Sequence, residues 1–156
     1  MTKINEKLEE LLGKREFVSI ATVGNDQQPN SVPKFFFRAK GDFLYLLDYV
    51  FGKTVSNIRE NPKVSVSFMD LGSLEAYRLN GTAHIIETEK VLHAVLKQWD
   101  KKLLKLSTDR VIEAVRTGKK SGHYEVEMTE RFVVLKIHVD TVIKVGRRGD
   151  IWKETA

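Results

Sequence analysis

Three strand-like runs follow one another in the first third of the chain: Phe17-Val18-Ser19-Ile20-Ala21-Thr22-Val23, about Asn30 to Ala39, and Phe43-Leu44-Tyr45-Leu46-Leu47. Only Gly24-Asn25-Asp26-Gln27-Gln28-Pro29 and Lys40-Gly41-Asp42 separate them, both rich in turn formers. Connections this short join strands antiparallel, because a parallel crossover takes roughly a dozen residues or more. Further along, Val64-Ser65-Val66-Ser67-Phe68 alternates cleanly, with one buried face. Ala76 to Ile86 reads as a long strand interrupted at Gly81, the kind of interruption that marks a bulge or a barrel corner. Two strands near 131–138 and 141–145 close the pattern.

Helices are few. Ile4, Leu8, Leu11 and Leu12 recur at helical spacing up to Gly13. A short helix is expected over 53–60, stopped by Asn61-Pro62. Residues 88 to about 105 form a third, with Thr88 as cap and Val91, Leu92, Val95, Leu96 and Trp99 on one face. A fourth runs over about 109–117. The fold class is therefore α+β: a small antiparallel β-barrel with a few peripheral helices. With 156 residues and no Pro/Gly/Ser linker, a single domain over 1–156 is expected, carrying a helical insertion at about 88–118.

Composition narrows the function classes. The absence of cysteine excludes disulfides, thiolate metal sites and cysteine nucleophiles. The apolar runs are too short to span a bilayer, and no apolar signal core follows the first lysine, so a cytoplasmic protein is expected. The net charge of +5 is scattered in short clusters such as Lys101-Lys102, Lys119-Lys120 and Arg147-Arg148 rather than gathered on one face. That distribution argues for attraction of small anions and against nucleic acid. His84, His93, His123 and His138 share no metal-ligand spacing. Ser19, Ser31 and Ser65 lack a nucleophile-elbow context.

The segment Tyr49-Val50-Phe51-Gly52-Lys53-Thr54-Val55-Ser56-Asn57 carries the functional signal, where a strand pattern stops and a helical one begins. Gly52 lets the chain turn sharply, and Thr54 suits a helix N-cap. First-turn N–H groups, the Lys53 ammonium and the Thr54 hydroxyl together suit a phosphate. A P-loop is excluded, since Leu47 stands where that motif needs glycine. An ordinary turn with a solvated lysine is the competing reading.

The order of these segments resembles the FMN-binding split-barrel family related to pyridoxamine 5′-phosphate oxidase. Ser19 to Val23, Ser31-Val32-Pro33-Lys34-Phe35-Phe36, Gly52 to Ser65 and Tyr77-Arg78-Leu79-Asn80-Gly81-Thr82-Ala83 carry the resemblance, over roughly residues 15–87. It implies a split β-barrel and a homodimer with FMN sites at the interface. Gly52, Lys53 and Thr54 would hold the FMN phosphate. Val32, Pro33, Lys34 and Phe35 would run beside the ring and ribityl chain, with Leu47, Asp48 and Phe51 walling the other side. Tyr77 and Arg78 would reach across from the second subunit.

The implied activity is flavin-dependent oxidoreduction of an unidentified small molecule. A non-catalytic flavin binder, a deazaflavin-dependent reductase and a basic interaction module without flavin are the alternatives. The C-terminal Arg147-Arg148-Gly149-Asp150-Ile151-Trp152 does not match the arginine- and tryptophan-rich ending of the B6 oxidases, which argues against that substrate. Among Phe35, Phe36 and Phe37, at least one side chain points away from the others. Lys34, inside that apolar run, needs either an anionic partner or an outer-face position with its head in water. Trp99 is expected in the core; Trp152 covers either a ligand site or a partner subunit.

Overall fold

The computed structural model describes residues 4–49, 52–118 and 131–155. Phe51 and His123, both singled out above, lie outside the described residues. The elements are α1 (Glu6–Gly13), β1 (Phe17–Val23), β2 (Pro29–Lys40), β3 (Phe43–Asp48), α2 (Lys53–Glu60), β4 (Lys63–Asp70), β5 (Glu75–Ile86), α3 (Glu89–Thr117), β6 (Val133–Val145) and β7 (Ile151–Thr155). All pairings are antiparallel, and the strand order β3-β2-β1-β4-β5-β6 closes through β3–β6 into a six-stranded barrel. No helix among the described residues is long and apolar enough to cross a membrane.

Alternation builds the barrel core. Val18, Ile20, Phe36, Leu44, Leu46, Val64, Val66, Leu79, Leu135 and Ile137 point inward and are buried. α1 covers one end: Asn5 caps it by accepting a 2.9 Å hydrogen bond from the Leu8 N–H, and Ile4, Leu8 and Leu12 enter the core. α2 covers the other with Val55 and Ile58. A second apolar layer lies outside β2, β3 and β6, where Phe35, Phe37, Leu47 and Val134 pack against Val95 and Trp99 of α3. The three phenylalanines therefore divide between two cores. An extra residue in β2 between Phe36 and Arg38 restores the inward position of Ala39 and leaves Arg38 outside, over the Phe37 and Tyr45 rings.

Two expectations are corrected. α3 is one helix of 29 residues rather than two. The expected gap between about 105 and 109 is helical, with the Thr108 hydroxyl donating to the Leu104 carbonyl at 2.8 Å within the helix. The two closing strands are likewise one, β6, which pairs with β5 along its length. On its other edge it passes from β3 (residues 133–138) to β7 (residues 141–145), so the apparent interruption marks a change of partner.

Lys102 ties α3 to the barrel. Its ammonium donates to the carbonyls of Phe36 and of Phe37, the latter at 3.2 Å, and lies over the Phe36 ring. Burial brings its pKa from 10.5 down to about 8, with the Glu16 carboxylate opposing. The folded state thus disfavours the charged form, and the unfolded chain binds more protons between about 8 and 10.5. Stability should rise with pH across that window, and the burial cost is fully present below it. Urea unfolding at pH 7.5 and 10 should show wild type gaining relative to Lys102→Met; a gap unchanged between the two would refute the assignment.

Candidate functional site

The candidate site centres on the N-terminus of α2, which begins at Lys53 as expected. Gly52 is the N-cap, with φ −106° and ψ −152°, extended backbone open to any residue, so the turn does not use glycine's special freedom. It provides no side-chain cap, and no acidic residue lies in the first turn. The first-turn N–H groups therefore face outward without a side-chain acceptor from the cap. Lys53, half-exposed, forms an ion pair with Asp26 of the β1–β2 turn. The hydrogen bond from Lys53 holds the Asp26 carboxyl below the usual carboxylate range, with the Gln28 backbone N–H assisting. That turn lies along α2, with the Asn25 N–H donating to Glu60 at 2.7 Å.

Thr54 is not the N-cap. It sits inside the helix, 3% exposed, and its hydroxyl accepts a 3.1 Å hydrogen bond from the Asn30 amide. Asn30 and Asn57 both donate to the Thr22 hydroxyl, at 3.2 and 3.1 Å. Thr22, Asn30, Thr54 and Asn57 thus form a buried network that locks α2 onto β1 and β2, satisfying polar groups that would otherwise be costly. Thr54 positions the helix start from beneath, and Lys53 faces solvent.

Along β2 the expected residues separate by face. Val32 and Lys34 lie on the barrel side with Phe36; Pro33 is exposed on the other, and Phe35 is buried under α3. Leu47 is buried in that same outer layer. Lys34 finds an anionic partner, Asp48, at 2.6 Å, with side chains 10% and 0% exposed. So Phe35, Leu47, Asp48 and Thr54 are enclosed in the protein, while Pro33, Gly52 and Lys53 are exposed.

The backbone of β2 adds what the side chains do not. The Phe36 N–H donates to the Glu16 carbonyl, so even-numbered residues of this stretch turn their backbone groups toward β1. Ser31 and Pro33 turn theirs the other way, along an edge that β3 joins only from Phe35 onward. Pro33, which has no N–H, occupies the edge-facing position a strand proline requires.

Sequence reasoning missed a broad groove on the outer face of β1, β4, β5 and β6, lined by Ser19, Ser67, Arg78, Asn80, Thr141 and Ile143. Its signal is present in the Val64–Phe68 alternation: with the valines inward, Ser65 and Ser67 necessarily face out. Arg78 is exposed on it. Among the described residues no cluster of three metal-ligating side chains occurs.

The chain belongs to the pyridoxamine 5′-phosphate oxidase family, whose model matches residues 4–146. No curated protein matches it. Several solved structures share the fold. HupZ of Group A Streptococcus is 23% identical with a TM-score of 0.65, over 92% of this chain and 95% of that one. A pyridoxamine 5′-phosphate oxidase-related, FMN binding protein from Nostoc punctiforme is 12% identical with a TM-score of 0.60, over 100% and 98%. A heme binding protein from Mycobacterium smegmatis is 18% identical with a TM-score of 0.57, over 94% of this chain and 57% of that one.

Proposed function

We propose that this protein binds FMN through the start of α2 and acts as a flavin-dependent oxidoreductase on a small molecule. The observation that carries the reading is the α2 N-terminus itself: no side-chain cap, no acid in its first turn, and Lys53 beside it on an exchangeable surface partner. Family membership and the FMN binding of the Nostoc relative support the choice of flavin over other phosphates.

In this reading Lys53 leaves Asp26 for the FMN phosphate, the first-turn N–H groups complete the seat, and Thr54 holds the turn in place from below. The outward backbone groups of Ser31 and Pro33 offer polar contacts to the ring edge. Bound FMN would supply hydride or electron exchange, and the chain would supply position and electrostatics. A second copy would cover the outer groove, whose apolar lining includes Met69, Ile143 and Ile151. Light scattering of the FMN-loaded protein should then give a dimer; a stable loaded monomer would remove this part.

The test starts with the visible spectrum of the purified protein and chromatography of the cofactor released by heat. FMN is expected; deazaflavin would keep the seat and change the chemistry, and uptake of haem alone would overturn the reading. Lys53→Ala should weaken FMN retention about tenfold, the worth of one charge-assisted hydrogen bond. Asp26→Asn should tighten it by freeing Lys53. Turnover with reduced nicotinamide and electron acceptors separates an enzyme from a non-catalytic carrier.

A further inference from the structure

Phe68, Tyr77, Lys144 and Trp152 stand opposite one another across β4, β5, β6 and β7, so their side chains form one row on one face of the sheet. The Phe68 and Tyr77 rings stack with centroids 5.1 Å apart and planes 11° from parallel. Lys144 Nζ lies 5.1 Å from the centre of the Trp152 ring. α1 passes beside Tyr77, where Leu8 packs into the core. Between α1 and the β6–β7 hairpin a cleft of about 240 Å³ remains, lined by Lys7, Leu8, Tyr77, Lys144, Trp152 and Lys153.

Two lysine ammonium groups, those of Lys7 and Lys144, thus face this cleft, and Glu75 is the carboxylate that answers both, 2.5 Å from Lys144 and 3.9 Å from Lys7. The hydrogen bond from Lys144, with a second from the Tyr77 hydroxyl, holds the Glu75 carboxyl below its usual range, so it is ionised. Burial and that same carboxylate push the Tyr77 phenol up to about 12, so the phenol keeps its proton and donates it in a hydrogen bond to Glu75. Two positive charges against one negative leave the cleft cationic. Trp152, 53% exposed, adds a broad apolar surface at its mouth. Exposed indole beside unbalanced ammonium groups matches a ligand that is flat and apolar at one end and anionic at the other.

We propose that this cleft binds a small anion carried on a single aromatic ring, with the ring against Trp152 and the phosphate or carboxylate between Lys7 and Lys144. The site lies at the α1 end of the barrel and shares no residue with the α2 phosphate seat. Its volume suits one ring, below the range of roughly 300–1,000 Å³ usual for larger ligands.

Phenyl phosphate is the probe, titrated into the full-length protein while tryptophan emission is read. The chain has two tryptophans, and Trp99 is fully buried, so a change at the cleft reports through Trp152. Saturable quenching is expected, with inorganic phosphate and benzoate in parallel titrations showing what ring and charge each contribute. Inorganic phosphate should bind at least about tenfold more weakly, since it lacks the stacking surface. Lys144→Met should weaken phenyl phosphate about tenfold, and Lys7→Met, at an exposed position, about threefold. Glu75→Gln should strengthen binding by removing the competing carboxylate, a change of sign that general damage to the fold would not produce. Absence of saturation, equal affinity for inorganic phosphate, or unchanged affinity in both lysine variants would each overturn the proposal.

Discussion

Asp48→Ala is expected to destabilise the protein by about 3–5 kcal/mol, the usual cost of removing one partner from a buried ion pair. The Asp48 side chain is completely enclosed, and the Lys34 ammonium, 2.6 Å away, is only one-tenth exposed. Without the carboxylate that ammonium is left charged on the barrel face it shares with Val32 and Phe36, with little room to reach water. The position of the pair adds to its weight: Asp48 is the last residue of β3, and Lys34 precedes the first β2 residue that β3 joins. The pair therefore pins the point where β3 leaves β2 and the chain turns toward α2. Replacing both residues, Lys34→Met with Asp48→Leu, should recover most of the loss, because a matched apolar pair strands no charge. Urea denaturation of the single and double variants measures both. A single-variant cost below about 1 kcal/mol would mean that water reaches Lys34 and the pair behaves as a surface one.

This pair also shows where sequence reading stops. Lys34 among three phenylalanines demands either a partner or water, and local pattern cannot choose, because the partner lies 14 residues away across a strand pair. The same limit applies to Lys53, whose acidic partner is 27 residues distant. What local pattern does carry is carried well. β1 spans the expected residues 17–23, α2 the expected 53–60, and the irregularity in β5 falls at Gly81. In each, a glycine, a proline or a clean alternation is local and sufficient.

The pattern is least informative where two layers cover one sheet. Because α3 packs outside β2, β3 and β6, both faces there are apolar, and the two-residue contrast that separates inside from outside disappears. Phe35, expected to run beside the flavin, and Leu47, expected to wall it, both have their side chains in this buried layer with Trp99 and Val95. Thr54 was misplaced for another reason. A threonine near a helix start serves as cap or as buried anchor, and only the Asn30 and Thr22 neighbours decide between them. β7, with its mixed residues Ile151 to Thr155, is specified by the edge of β6 it pairs with more than by its own pattern.

Gly81→Ala is expected to cost about 3 kcal/mol or more, as overpacking against backbone does when nothing flexible can yield. A Cβ at this position would lie 2.1 Å from the His138 carbonyl oxygen and 3.0 Å from its carbon, with Ile137 Cγ2 at 3.2 Å. The two His138 atoms belong to the main chain of β6 at the register shift between Asn80 and Gly81. Relief requires separating β5 from β6 where β6 passes from β3 to β7, so the strain falls on barrel closure itself. For a protein of this size the loss corresponds to a Tm lower by roughly 6–12 °C. Gly13→Ala is the matched control: it ends α1, has open space where its Cβ would go, and should be neutral or slightly stabilising. Thermal melts of the two variants separate close packing at one glycine from a general effect of replacing glycine. A Gly81→Ala protein melting within about 2 °C of wild type would show that β5 and β6 can part at this bulge without opening the barrel. The bulge would then serve as a hinge, and its glycine would be needed for the path of the chain more than for contact across the strands.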